Sequence, residues 1–127
     1  MGPVTRPELS ERQWQDQVVE LAQLYRWRIH HCRAALNQRG QYSTPIQGDP
    51  GFPDLVLVRD YRCLLVELKA NTGKLASEQR DWLRALAQAG IDARVWQPRD
   101  WPEVQRELTW RPASELSVEG VRTGGRT

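Results

Sequence analysis

The stretch Gly51-Phe52-Pro53-Asp54-Leu55-Val56-Leu57-Val58, followed after a polar break by Cys63-Leu64-Leu65-Val66-Glu67-Leu68-Lys69, decides the architecture. Two short apolar runs rich in Val and Leu, separated by Arg59-Asp60-Tyr61-Arg62, specify an antiparallel hairpin. With a tight turn there, Val58 pairs with Cys63 and Leu57 with Leu64, and the ladder carried downward sets Asp54 opposite Glu67. Both faces of the hairpin read as apolar: Val56, Val58, Cys63 and Leu65 on one, Leu55, Leu57, Leu64 and Val66 on the other. An interior hairpin covered on both sides is therefore expected.

The acids at its end pose an electrostatic problem. Opposed residues have Cβ atoms about 4.5 to 5.5 Å apart, and two ionised carboxylates at roughly 5 Å repel by about 3 kcal/mol at an effective dielectric near 20. Lys69, two residues past Glu67, projects from the same face and supplies one positive charge. A solvated ion cluster is the plain alternative, worth about 0 to 1 kcal/mol. Against it stands Glu11, which heads the apolar stripe of the first helix and points to the same end of the sheet. Carboxylates converging on one lysine suit a divalent metal, with Asp54 and Glu67 as hard oxygen ligands and the Leu68 carbonyl as a third. Magnesium so held keeps waters, acidifies one and stabilises charge on a phosphate oxygen, with Lys69 orienting the attacking water. Phosphodiester hydrolysis is the expected reaction.

Outward from the hairpin, Ser10 and Gln13 form a capping box before an amphipathic helix over Glu11–Tyr25, with Trp14, Val18, Leu21 and Tyr25 on one stripe. Trp27–Cys32 reads as a strand, and residues 33–51, broken by Gly and Pro, as a long loop. Ser77 is expected to cap a second helix reaching Ala89, with Trp82, Leu83 and Leu86 inward and Gly90 as the stop. Ala93–Trp96 gives a fourth strand, and an Asp100/Glu103 capping box a last helix through Leu108. This order specifies an α/β fold with a mixed central sheet flanked by helices. Residues 1–9 are an N-terminal lead, 10–110 one domain, and 111–127, rich in Ser, Gly, Thr and Arg, a tail expected to be disordered.

Composition bounds the rest. The 127 residues carry a net charge of +2 at pH 7, which permits a polyanionic partner without demanding one. No apolar run approaches the roughly 20 residues of a membrane span and no secretory signal pattern opens the chain, so a cytoplasmic location is expected. Cys32 and Cys63 lack metal-ligand spacing and read as buried, reduced side chains. Of the six tryptophans, Trp14, Trp82 and Trp96 fit a core, while Trp101 and Trp110 are candidates for burial against a partner subunit.

Pro53-Asp54, twelve intervening residues, then Glu67-Leu68-Lys69 resembles the pattern of the PD-(D/E)xK nucleases. Gly51-Phe52-Pro53-Asp54-Leu55, Val66-Glu67-Leu68-Lys69 and Ser77-Glu78-Gln79 together resemble the VRR-NUC domain, compact stand-alone type, over about Glu11 to Leu108. The resemblance implies a restriction-endonuclease-like α-β-β-β-α-β core. It also implies a Mg²⁺- or Mn²⁺-dependent endonuclease acting on branched or flapped DNA in repair or recombination, akin to small homodimeric Holliday junction resolving enzymes. Carried over, Asp54, Glu67 and the Leu68 carbonyl hold metal, Lys69 is catalytic, Glu11 is the helix acid with Glu20 its rival, and Gln79 supports the site. His31, Arg33, Arg39 and Lys74 are candidate DNA contacts. A non-catalytic nucleic-acid-binding module on the same fold is the alternative, and a protein-interaction subunit a third reading.

Overall fold

The computed structural model describes residues 8–31, 35–36, 42–43 and 47–111. Helix α1 (Glu11–Leu24) starts at the expected capping box: the Ser10 hydroxyl accepts from the Gln13 amide at 3.1 Å, and the Gln13 side chain accepts from the Ser10 amide at 2.9 Å. Strand β1 (Arg28–His31) follows, then the two-residue strands β2 (Ala35–Leu36) and β3 (Tyr42–Ser43), which pair with each other. The segment read as a plain loop thus contains a short ladder. Strands β4 (Leu55–Arg59) and β5 (Arg62–Leu68) form the hairpin, α2 (Ser77–Gln88) crosses over, and β6 (Asp92–Trp96) returns parallel to β5. A 3₁₀ turn (Pro98–Asp100) leads into α3 (Trp101–Thr109).

The main sheet has the order β1-β4-β5-β6, antiparallel except at its last pair. Its elements read α1-β1-β4-β5-α2-β6 along the chain, the expected α-β-β-β-α-β core of a mixed sheet flanked by helices. Parallel β5 and β6 need a crossover, which α2 supplies. The register matches the sequence reading: Val58 faces Cys63, Leu57 faces Leu64 and Leu55 faces Val66, with Asp60 at a φ of 55° in the tight turn. Asp is one of the few side chains that tolerates this left-handed conformation.

Burial corrects the two-sided reading of the hairpin. Leu55, Leu57, Leu64 and Val66 are fully buried with Leu68, Trp96 and the inner residues of α1 and α3 (Trp14, Val18, Ala22, Val104, Leu108). On the opposite face Leu65 is buried, but Cys63 is exposed and Val58 partly so. The cover there is α2, which buries no residue fully; Trp82, Leu83 and Leu86 are only half-buried. One twelve-residue helix spans too little width to shield four strands. Cys32 lies outside the described residues, as does the tail beyond Arg111.

Three smaller corrections concern caps and aromatics. The N-cap of α2 is Ala76, not Ser77, and the Gln79 side chain accepts from the Ala76 amide at 2.9 Å. Asp100 accepts from the Gln97 amide at 2.9 Å, closing the 3₁₀ turn, while Glu103 turns instead to the Trp96 indole N–H at 3.2 Å. Trp101 packs edge-on against Trp14 at 5.9 Å in its own chain's core. Trp110 remains half-exposed beside the Arg62 guanidinium, 5.4 Å from its centre. Sequence patterning also missed a buried cation: Arg59 lies 4.7 Å over the Trp27 ring and donates to the carbonyls of Tyr25, Leu108 and Trp110, tying the ends of α1 and α3 to the sheet.

Candidate metal-binding acid pair

Asp54 and Glu67 sit at the end of β4 and β5 remote from the hairpin turn. The observed register, continued one rung past Leu55 and Val66, sets them opposite each other on the sheet face that α2 flanks. One rung further, Pro53 faces Leu68. Proline has no N–H to give the Leu68 carbonyl, and the Leu68 amide donates instead to Asp54 Oδ2 at 2.8 Å. The ladder therefore ends in a carboxylate rather than a peptide, which orients Asp54.

Glu67 is buried, at 1% exposure. Its Oε2 accepts from Gln79 Nε2 at 2.9 Å and lies 3.7 Å from Lys69 Nζ. Its Oε1 is buried with no hydrogen-bond donor among the described residues. A buried carboxylate oxygen left so costs on the order of 1 to 3 kcal/mol. The Glu67 carboxyl is pushed up to about 8, chiefly by burial, then by the Asp54 charge and its hydrogen bond and by Glu11, with Lys69 opposing. Near neutral pH either a proton or a cation occupies the space between two such acids.

Glu11 opens α1 at the same end. Desolvation raises its carboxyl above the usual range, Lys69 counteracts and Asp54 reinforces. Its side chain nevertheless stays largely exposed, and no closed cage of three or more Asp, Glu, His or Cys side chains occurs among the described residues. Glu20, the rival, is exposed nine residues further along α1, about 13 Å away along the helix axis. The donor set is thus two carboxylates and a main-chain oxygen, with Glu11 in electrostatic reach. Magnesium commonly accepts so few protein ligands because it retains several waters.

Gln79 reaches the pair because Gly51 allows it. Gly51 has a φ of 100°, and a Cβ there would stand 2.6 Å from the Glu78 carbonyl carbon and oxygen and 2.9 Å from the Gln79 amide nitrogen. Only a glycine lets the loop before Pro53 press against the first turn of α2. That contact fixes Asp54 and Gln79 relative to each other. The glycine is visible in the sequence, but its neighbour on α2 is not.

The candidate DNA contacts are distributed unevenly. His31 pairs with Leu55 and so shares the face covered by α1, whereas His30 pairs with Val56 and lies on the Asp54 face. Lys74 is exposed in the loop between β5 and α2. Arg33 and Arg39 lie outside the described residues.

A mixed four-stranded sheet with two opposed acids and a lysine at one end is a restriction-endonuclease-like arrangement. The VRR-NUC domain model matches residues 8–100, and the chain belongs to that family of nuclease domains. A solved structure described as a VRR_NUC domain protein superposes with a TM-score of 0.55 at 23% identity, covering 80% of this chain and 92% of the other, which shows a common fold. No curated protein matches the chain.

Proposed function

We propose that the chain is a divalent-metal-dependent endonuclease that hydrolyses phosphodiester bonds in branched or flapped DNA, four-way junctions included. The observation that carries this reading is the buried Oε1 of Glu67, without a donor among the described residues and opposed to Asp54. Asp54, Glu67 and the Leu68 carbonyl would hold Mg²⁺ or Mn²⁺, which supplies an acidified water and neutralises charge on the phosphate.

The protein's own groups do the positioning. The Leu68 amide holds one oxygen of Asp54 and Gln79 holds one of Glu67, so each acid is fixed through one oxygen. Lys69, whose side chain is 15% exposed, orients the attacking water and offsets phosphate charge from beside Glu67. Glu11 acts through water. The exposed Lys74, with Arg33 and Arg39, contacts backbone phosphates. In this reading the protein acts as a homodimer, which the resemblance to compact members of the family supports.

Purified protein incubated with Mg²⁺ and a panel of four-way, flapped, single-stranded and duplex DNA should cut the branched forms and be silent in EDTA. Glu67→Gln should bind the same DNA without cutting it. Cleavage of equal rate by that variant would refute the assignment, and binding without cleavage by the wild type would favour a non-catalytic module.

A further inference from the structure

Phe52 stands two residues before Asp54, at most about 7 Å away along the chain, with buried Pro53 between them. It remains 41% exposed. The other exposed large apolar side chains among the described residues, Leu24, Val58, Tyr61, Ile91 and Trp110, lie toward the hairpin-turn end of the sheet. Phe52 alone among them marks the acid end.

Its ring is also held. Trp82 meets it edge-to-face with centroids 5.0 Å apart and planes at 88°, and the Trp82 indole N–H donates to the Asp49 carbonyl at 3.2 Å. The Gly51 contact with α2 locks the loop beneath. A rigid, half-solvated aromatic costs little to organise and loses little entropy when a flat ligand covers it.

Beyond Trp82 lies an open cleft of about 490 Å³ lined by Asp49, Pro50, Glu78, Asp81, Trp82 and Ala85. Of its three carboxylates only Asp81 is ion-paired among the described residues, with Arg84 at 3.9 Å, so the cleft keeps a net negative charge that disfavours phosphate and favours a backbone on the side of Lys69 and Lys74. What can approach the aromatic pair from that backbone is a base.

We infer that Phe52, supported by Trp82, stacks on an unpaired nucleobase beside the scissile phosphate and so selects DNA with a nucleotide out of the duplex. The inference rests on the nuclease reading and adds to it the feature of the substrate that is recognised. Stacking on a protein aromatic tolerates any base, because every base has a π-face. The selection is therefore for unpaired structure rather than for sequence.

The test measures binding apart from cutting. In Ca²⁺, fluorescence anisotropy would compare flapped DNA with a continuous duplex of equal length for the wild type, Phe52→Leu and Phe52→Tyr. Phe52→Leu should weaken flap binding roughly tenfold and duplex binding less than about twofold, while Phe52→Tyr keeps wild-type affinity for both. Equal affinity of Phe52→Leu for the flap, an equal loss on both DNAs, or a loss in Phe52→Tyr matching that in Phe52→Leu would overturn the inference. In the unmutated protein, 5-iodouracil at the unpaired position should photocrosslink to the peptide carrying Phe52 or Trp82. Crosslinks elsewhere only would overturn it even if Phe52→Leu fails to fold. Cleavage of branched DNA would persist in that case, leaving the nuclease reading intact. Intact crosslinking without any cleavage would instead support base stacking and refute the nuclease reading.

Discussion

Replacing Glu67 with Gln should stabilise the metal-free protein while removing its capacity to cut DNA. In the folded state burial and the neighbouring acid raise the Glu67 carboxyl from 4.5 to about 8. A group whose folded pKa exceeds its unfolded value binds its proton more tightly when folded. Its contribution is therefore fully present below about pH 4.5 and is lost as pH rises toward 8. At 1.36 kcal/mol per pKa unit, the ionised carboxylate costs under about 1 kcal/mol at pH 5, about 3 at pH 7 and about 5 at pH 9. Glutamine has the same shape, accepts from Gln79 through its carbonyl and can present an N–H to Asp54, so it avoids this cost. Thermal melts followed by tryptophan fluorescence in EDTA should find the variant more stable by about 10 °C at pH 7, at roughly 4 °C per kcal/mol for a domain of this size. The gap should close by pH 4.5 and widen toward pH 9. A gap independent of pH, or a variant melting below the wild type at pH 7, would show that Glu67 carries no uncompensated charge.

The same geometry sets three further outcomes. On the proposed metal reading a bound ion displaces a proton from the acid pair, so Mg²⁺ affinity should rise roughly tenfold per pH unit up to about pH 8 and level off above it, as read by calorimetry in buffers of different ionisation enthalpy. Gly51→Ala meets a positive φ and a backbone contact at 2.6 Å. It should cost about 3 kcal/mol in urea denaturation, combining left-handed strain with overpacking. Gln79→Ala removes the donor to Glu67 Oε2. Single-turnover cleavage should slow by about tenfold or more, with Kd for DNA in Ca²⁺ unchanged, since a hydrogen bond to a charged group contributes roughly 1.5 to 3 kcal/mol.

Features under the control of local periodicity and hydrogen-bond register were legible in the order of residues. Apolar runs at Leu55–Val58 and Cys63–Leu68, separated by a polar break, defined the strands, the tight turn fixed their pairing, and that register set Asp54 opposite Glu67. The capping box at Ser10 and Gln13 was equally plain, because its partners are three residues apart. How the helices dock on the sheet was not legible. That docking left α2 half-exposed and put Trp82 against Phe52 rather than in the core. It drew Trp101 into the core beside Trp14 and brought Gln79 to Glu67. It also determined how deeply Glu67 is buried, and hence that its carboxyl is pushed up to about 8. The division has a physical cause: a strand's register is settled by neighbours a few bonds away. The desolvation of a side chain depends on every distant segment that packs around it.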